Sequence, residues 1–98
     1  MVHHIVMWQL RPEAEGRTKT ENAQIIKDSL EGLIGQIPGL CSLLAGINEN
    51  GGEYDLVLTT EFQSMADLQA YDVHPAHQQV KSYIQKSAQS RVCVDFTD

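Results

Sequence analysis

The stretch from Tyr71 to Val80 places two histidines and a tyrosine at helical spacing around Pro75. Proline suits the first position of a helix and pushes the preceding residue out of the helical region, so we predict that one helix stops near Val73 and a second begins at Pro75. His77 then lies in the first turn of the second helix, where unpaired N–H groups and the helix dipole disfavour an imidazolium. This arrangement predicts a neutral His77.

A neutral imidazole is a usable general base, and a nearby tyrosine hydroxyl can donate a hydrogen bond to a substrate carbonyl. A structural interpretation of the same residues is that His74 ends the first helix while the backbone satisfies the polar edge of His77. The spacing alone is compatible with both interpretations.

The composition describes a single small globular domain. The chain has 98 residues, a formal net charge of −6 and a hydrophobic share of 42%, and its few basic residues are scattered, which argues against nucleic acid as a partner. No apolar stretch is long enough to cross a bilayer and no leader sequence is evident, so we expect a cytoplasmic protein without a membrane partner. Cys41 and Cys93 lack a metal-type spacing, and we expect two buried free thiols.

The hydrophobic pattern predicts four strands and a broken second helical segment. In the first strand, His4 and Trp8 face one way while Ile5 and Met7 face the other. The first helix carries an apolar stripe of Ala23, Ile26, Leu30, Leu33, Ile34 and Ile37. In chain order we predict a strand at 2–10, a helix at 18–37, strands at 40–48 and 54–62, helices at 64–73 and 75–90, and a strand at 92–96.

This order, β-α-β-β-α-β, predicts an α+β fold of the ferredoxin-like type with a four-stranded antiparallel sheet. Helices cover only one face of such a sheet, yet Ile5, Met7 and Val57 add apolar surface to the other face. An exposed apolar sheet face is typical of an association surface. We therefore expect a homodimer in which two sheets pack face to face.

The chain resembles the stress-responsive A/B barrel (Dabb) family of the dimeric α+β barrel superfamily over nearly its whole length. The segment His-Pro-x-His at residues 74–77 is the most specific part of the resemblance. It lies within the matching segment 71–77, and the other matching segments are 4–10, 37–40, 54–58, 61–64 and 94–96. The resemblance implies a single domain over residues 1–98 and a homodimer whose two sheets together form a barrel.

The best-understood activity of that family is that of a plant polyketide cyclase, which closes a linear poly-β-keto thioester by aldol condensation without metal or organic cofactor. The resemblance carries its catalytic tyrosine and histidine onto Tyr71 and His77, and a further pocket histidine onto His4. His77 would then remove a proton from an activated methylene, and Tyr71 would hydrogen-bond the carbonyl. The sequence departs from the cyclase at Leu30, which stands where the cyclase has a tyrosine.

Three functions follow as hypotheses. The first is a cavity between helices and sheet for a small apolar carbonyl or phenolic compound, with His77 and Tyr71 as catalytic residues and a lining of His4, Trp8, Leu30 and Phe62. The second is a non-catalytic, stress-associated dimer. The third is a monooxygenase that needs no cofactor.

We predict no metal site among the four histidines. His3 and His4 point to opposite faces of one strand, and His74 with His77 supply too few ligands for zinc.

Overall fold

A four-stranded antiparallel sheet and three helices make up the protein, and the computed structural model describes all 98 residues. The elements are β1 (Val2–Leu10), β2 (Glu13–Ala14), β3 (Arg17–Thr18), α1 (Lys19–Glu31), β4 (Leu40–Ile47), β5 (Leu56–Phe62), α2 (Met65–Val73), α3 (Pro75–Ser87) and β6 (Ala88–Thr97). The order of strands in the four-stranded sheet is β4-β5-β1-β6, which confirms the predicted ferredoxin-like α+β fold. A small two-stranded hairpin, β2 with β3, precedes α1.

Strand β1 lies in the middle of the sheet, between β5 and β6. Its residue Val6 is opposite Leu58 of β5 and Cys93 of β6. Side chains alternate between faces, so Val6 and Trp8 are buried under the helices while Met7 lies on the other side. The helices therefore cover the face of β1 that carries Val6 and Trp8, as predicted.

The face of the sheet away from the helices is apolar and open. Leu44 on β4 is 67% exposed and Val94 on β6 is 60% exposed. Val94 is opposite Ile5, and Val92 is opposite Met7, which gives a continuous apolar surface across β1 and β6. We call this surface the open face.

Helix α1 is shorter than predicted. Thr18 and Glu21 form a capping box at its start, but the helix ends at Glu31 instead of Ile37. Gly32 caps it and Gly35 adopts a positive φ of 82°, a conformation that interrupts a right-handed helix. Ile34 lies in these turns and is 59% exposed, so its placement on the buried stripe was wrong.

The predicted break between α2 and α3 is confirmed. Helix α2 ends at Val73, and His74 has the extended torsions φ −64° and ψ 134°. Pro75 is the first residue of α3. His74 ends α2, as the structural interpretation predicted. The backbone N–H of Ala76 donates to Nδ1 of His74 at 3.1 Å, so His74 also caps α3.

The two cysteines differ from expectation, because both are exposed free thiols. Cys41 lies on β4 and Cys93 on β6, which are the two edge strands of the sheet. The predicted burial was wrong because Cys41 lies at the register shift between Leu40 and Ser42, and because the helices pack mainly against strands other than β6.

None of the three helices is both long and apolar enough to span a membrane.

Candidate functional site

Tyr71 and His77 come together across the break between α2 and α3. Their ring centroids are 4.2 Å apart, with the ring planes inclined at 34°. Tyr71 lies in the last part of α2 and His77 in the first turn of α3. The interruption at His74 and Pro75 therefore allows side chains from two helices to pack against each other.

The hydroxyl of Tyr71 is a buried donor without a partner. Tyr71 is 1% exposed, and its hydroxyl oxygen makes no hydrogen bond within the chain. Burial, with a smaller contribution from the charge of Asp72, raises the pKa of Tyr71 well above its ordinary value. The hydroxyl stays protonated and is able to donate to a ligand oxygen.

His77 is held as a neutral ring in one orientation. Its Nδ1–H donates to the carbonyl oxygen of Asp72 at 3.1 Å, which leaves Nε2 as the unprotonated nitrogen of the neutral tautomer. Burial lowers the pKa of His77 below its ordinary value of 6.5. Lys81 and His4 also lower this pKa, while Asp72 opposes the shift. His77 is thus a base at neutral pH.

His4 lies next to Tyr71, on the covered face of β1. Its ring meets Tyr71 edge-on, with centroids 6.2 Å apart. Its Nδ1 is 2.5 Å from Oδ1 of Asp95, which lies directly opposite on β6. This carboxylate fixes the orientation of the imidazole.

A cavity of about 230 Å³ opens between the sheet and α3. Of the residues predicted for the site, His4, Trp8, Leu30 and His77 line it. Leu30 is fully buried, so its side chain forms an apolar wall of the cavity.

A second cleft adjoins this cavity and shares His4 with it. Tyr71 lines the second cleft rather than the first cavity. Phe62 lines neither; it is fully buried and packs against Tyr71, with ring centroids 5.2 Å apart. Four of the six predicted residues therefore line the cavity, while Tyr71 and Phe62 do not.

Several polar residues of the site were missed by sequence reasoning. Lys81 and Arg91 line both the cavity and the cleft, and Asp95 holds His4. Pairing β1 with β6 in register would have found Asp95, because it is the residue opposite His4. The role of Asp72 is carried by its backbone carbonyl and leaves no signature in the sequence.

The family model of the stress responsive A/B barrel domain matches residues 2–98 of the chain. None of the curated proteins matches the sequence. Among solved structures, the chain is similar to a dimeric ferredoxin-like protein of unknown function from Bacteroides fragilis, with 27% identity, a TM-score of 0.84 and coverage of 99% of this chain and 95% of that one.

Two further structures are also similar. A dimeric ferredoxin-like protein of unknown function from Jannaschia is 26% identical, with a TM-score of 0.77 and coverage of 99% and 98%. The hydroxynitrile lyase from Passiflora edulis is 14% identical, with a TM-score of 0.76 and coverage of 97% and 90%, a likeness of fold alone.

Proposed function

Because the chain belongs to the family of stress responsive A/B barrel domains, we propose that it is a homodimer that binds a small apolar carbonyl or phenolic compound beside Tyr71 and His77 and acts on it by acid/base chemistry. The observation that carries this proposal is the contact between a neutral histidine and a buried tyrosine whose hydroxyl has no partner. An unpaired buried donor costs about 1–3 kcal/mol, which a ligand oxygen would recover.

The proposed chemistry is proton removal next to a carbonyl. Nε2 of His77 takes a proton from the carbon beside the carbonyl, and the electron pair of that C–H bond moves toward the oxygen to give an enolate. The Tyr71 hydroxyl donates a hydrogen bond to this oxygen, where the negative charge develops. His4, oriented by Asp95, lines the same cavity as His77 and binds the substrate there.

The apolar residues around the cavity support an apolar compound as the ligand. Trp8 and Leu30 form apolar walls of the cavity, and Phe62 fixes the tyrosine ring from below. Leu30 offers no hydrogen bond where the cyclase that the sequence resembles has a tyrosine. We therefore propose a less polar substrate than a poly-β-keto chain.

Access to the Tyr71 hydroxyl requires a local movement. The oxygen is shielded from solvent, although the ring lines the cleft next to the cavity. A bound compound reaches it after side chains between cavity and cleft move apart.

The dimer is proposed to form through the open face. Leu44, Val94 and Phe96 expose apolar surface there, while the helices cover the opposite side of the sheet. Two such faces packed together would remove this surface from water. The proposed assembly is the barrel that the family name describes.

A cytoplasmic location is part of the proposal. Both cysteines are exposed and unpaired, which fits a compartment that keeps thiols reduced.

A non-catalytic dimer is the second candidate, and one observation favours it. His74 and Pro75 have structural tasks, since the histidine caps α3 and the proline starts it. The first two residues of the His-Pro-x-His element thus have structural roles that require no catalytic reaction.

Hydrogen–deuterium exchange on a ketone separates the two candidates. 4-Hydroxyacetophenone carries both a phenol and a carbonyl with an adjacent methyl group, and loss of its methyl proton signal in D2O can be followed by NMR. We expect the protein to accelerate exchange over buffer. We expect Tyr71→Phe and His77→Gln each to reduce the accelerated rate by about 100-fold, because one removes the hydrogen bond to the enolate oxygen and the other removes the base.

Tyr54→Phe is the matched control, because Tyr54 lies in the loop before β5 and lines neither the cavity nor the cleft. This variant should accelerate exchange of the methyl protons of the ketone as much as the unaltered protein does. Exchange no faster than in buffer would overturn the catalytic proposal in favour of the non-catalytic dimer, as would full activity in His77→Gln.

A further inference from the structure

We propose that His4, Cys93 and Asp95 form a binding site for a divalent transition-metal ion such as Zn²⁺. The register of the sheet creates the cluster, because Asp95 on β6 is opposite His4 on β1 and Cys93 is two residues before Asp95 on the same face of β6. Imidazole, thiol and carboxylate are the three side-chain types that bind zinc in proteins.

The distances between the donor atoms suit a tetrahedral ion. Sγ of Cys93 is 3.6 Å from Nδ1 of His4 and 3.5 Å from Oδ1 of Asp95. Zinc bonds of about 2.3 Å to sulfur and about 2.0–2.1 Å to nitrogen or oxygen place tetrahedral S···N and S···O pairs about 3.5–3.6 Å apart. Two of the three distances between donor atoms therefore already have the length that the ion requires.

The third distance, between the donor atoms of His4 and Asp95, must increase. Nδ1 of His4 and Oδ1 of Asp95 are 2.5 Å apart in a hydrogen bond, whereas a shared zinc ion would separate them by about 3.3 Å. The Asp95 side chain is 38% exposed on an edge strand, so rotation of its carboxylate can supply this change. Metal binding would replace the proton between the two groups.

The same three residues do not form a nucleophilic triad. In a Cys-His-Asp triad the thiol and the carboxylate contact different nitrogens of the imidazole. Here Cys93 and Asp95 both approach Nδ1 of His4. Convergence of three donors on one point is the arrangement of a metal site.

Three protein ligands leave the fourth position of a tetrahedral ion open, as in catalytic rather than structural zinc sites. His4, Cys93 and Asp95 all line the cleft that also contains Tyr71. The open position would therefore accept water or an oxygen of a bound compound at that cleft.

Cobalt(II) titration tests the site directly. Co²⁺ bound to a thiolate gives a charge-transfer absorption band in the near ultraviolet, and Zn²⁺ in excess should displace it. The full chain, without a histidine tag and kept reduced, is titrated alongside Cys93→Ser and Asp95→Asn. Cys41→Ser is the matched control, because Cys41 is the other exposed free cysteine and lies on the opposite edge strand.

We expect one Co²⁺ per chain, no thiolate band in Cys93→Ser, an unchanged band in Cys41→Ser and at least about tenfold weaker binding in Asp95→Asn. A missing band in the unaltered protein, a band that persists in Cys93→Ser, or equal affinity in Asp95→Asn would each overturn the site. These readouts are spectroscopic, so they are independent of the ketone exchange assay.

Discussion

At the scale of single residues, Tyr71 and His77 are the centre of the proposed site because burial shifts their pKa values in opposite directions. It raises the pKa of the phenol and lowers the pKa of the imidazole. Both groups are therefore neutral around pH 7, with a proton on the tyrosine and a free nitrogen on the histidine. A general base and a hydrogen-bond donor need this combination.

Tyr71→Phe is predicted to stabilise the protein. The substitution removes a buried hydroxyl that has no hydrogen-bond partner and keeps the ring that packs on Phe62. We expect the free energy of unfolding in urea to rise by about 1 kcal/mol. Tyr54→Phe should change it by less than half as much, and a loss of stability in Tyr71→Phe would show that the hydroxyl is satisfied in the folded state.

His77 is predicted to make stability fall in mildly acidic solution. Its folded pKa is lower than its ordinary value of 6.5, so below about pH 6.5 the unfolded chain binds a proton that the folded chain does not. The resulting loss of stability grows as the pH falls toward the folded pKa and is complete there. Asp72, Lys81 and His4 are the charged or titratable groups that act on this ring.

Urea unfolding of the unaltered protein and of His77→Gln between pH 7.5 and pH 5 measures this contribution. Glutamine does not titrate, so the stability of the variant should decline less on acidification. Parallel pH profiles for the two proteins would contradict the prediction.

At the scale of elements, the break between α2 and α3 could be predicted because proline fixes its own φ and restricts the residue before it. The placement of Tyr71 and His77 on two adjoining helices followed from that local rule. The early end of α1 was missed because the apolar spacing continues through Leu33 to Ile37, whereas Gly35 takes a positive φ. The hydrogen bond between His4 and Asp95 was missed because it depends on strand register between residues far apart in the chain.

Gly39 is predicted to be the glycine least tolerant of substitution, because it lies just before β4 and packs closely against α2. Its φ is 86°, and an added Cβ would lie 2.7 Å from the Asp67 side chain in the first turn of α2. We expect Gly39→Ala to lower the free energy of unfolding by more than 2 kcal/mol, because an unfavourable φ costs about 1–2 kcal/mol and the clash adds to it.

Gly51→Ala is the matched control, since Gly51 has a φ of 72° with open space around it. It should show only the cost of the backbone conformation, about 1 kcal/mol, in the same thermal or urea unfolding experiment. Equal losses in the two variants would mean that the contact with Asp67 relaxes without cost.

At the scale of the whole molecule, helices protect one side of the sheet and leave the other side apolar and exposed. This asymmetry was predictable, because Ile5, Met7 and Val57 alternate with the buried residues of their own strands. The similar proteins from Bacteroides fragilis and Jannaschia are described as dimeric. A second copy of the chain is the partner we propose for this face.

Val94→Asp is predicted to convert the proposed dimer into a monomer. Val94 is 60% exposed in the single chain and lies on the open face opposite Ile5. A carboxylate there would be buried against an apolar partner surface without a counter-charge. Sedimentation velocity at micromolar concentration should give half the mass of the unaltered protein.

Val73→Asp is the control, because Val73 is 69% exposed at the end of α2 and lies away from the open face. It should remain dimeric. Dimeric Val94→Asp would indicate that the chain associates through another surface.

His74, the single non-helical residue between α2 and α3, gives evolution or mutagenesis a way to change the proposed site. The angle between Tyr71 and His77 depends on the backbone torsions of His74, whose ψ of 134° separates the two helical axes. A substitution at His74 or Pro75 that alters this torsion would reorient one ring against the other while both side chains are retained. Selection for a new ligand can therefore act on His74 and Pro75 and change the relative orientation of Tyr71 and His77 without replacing either ring.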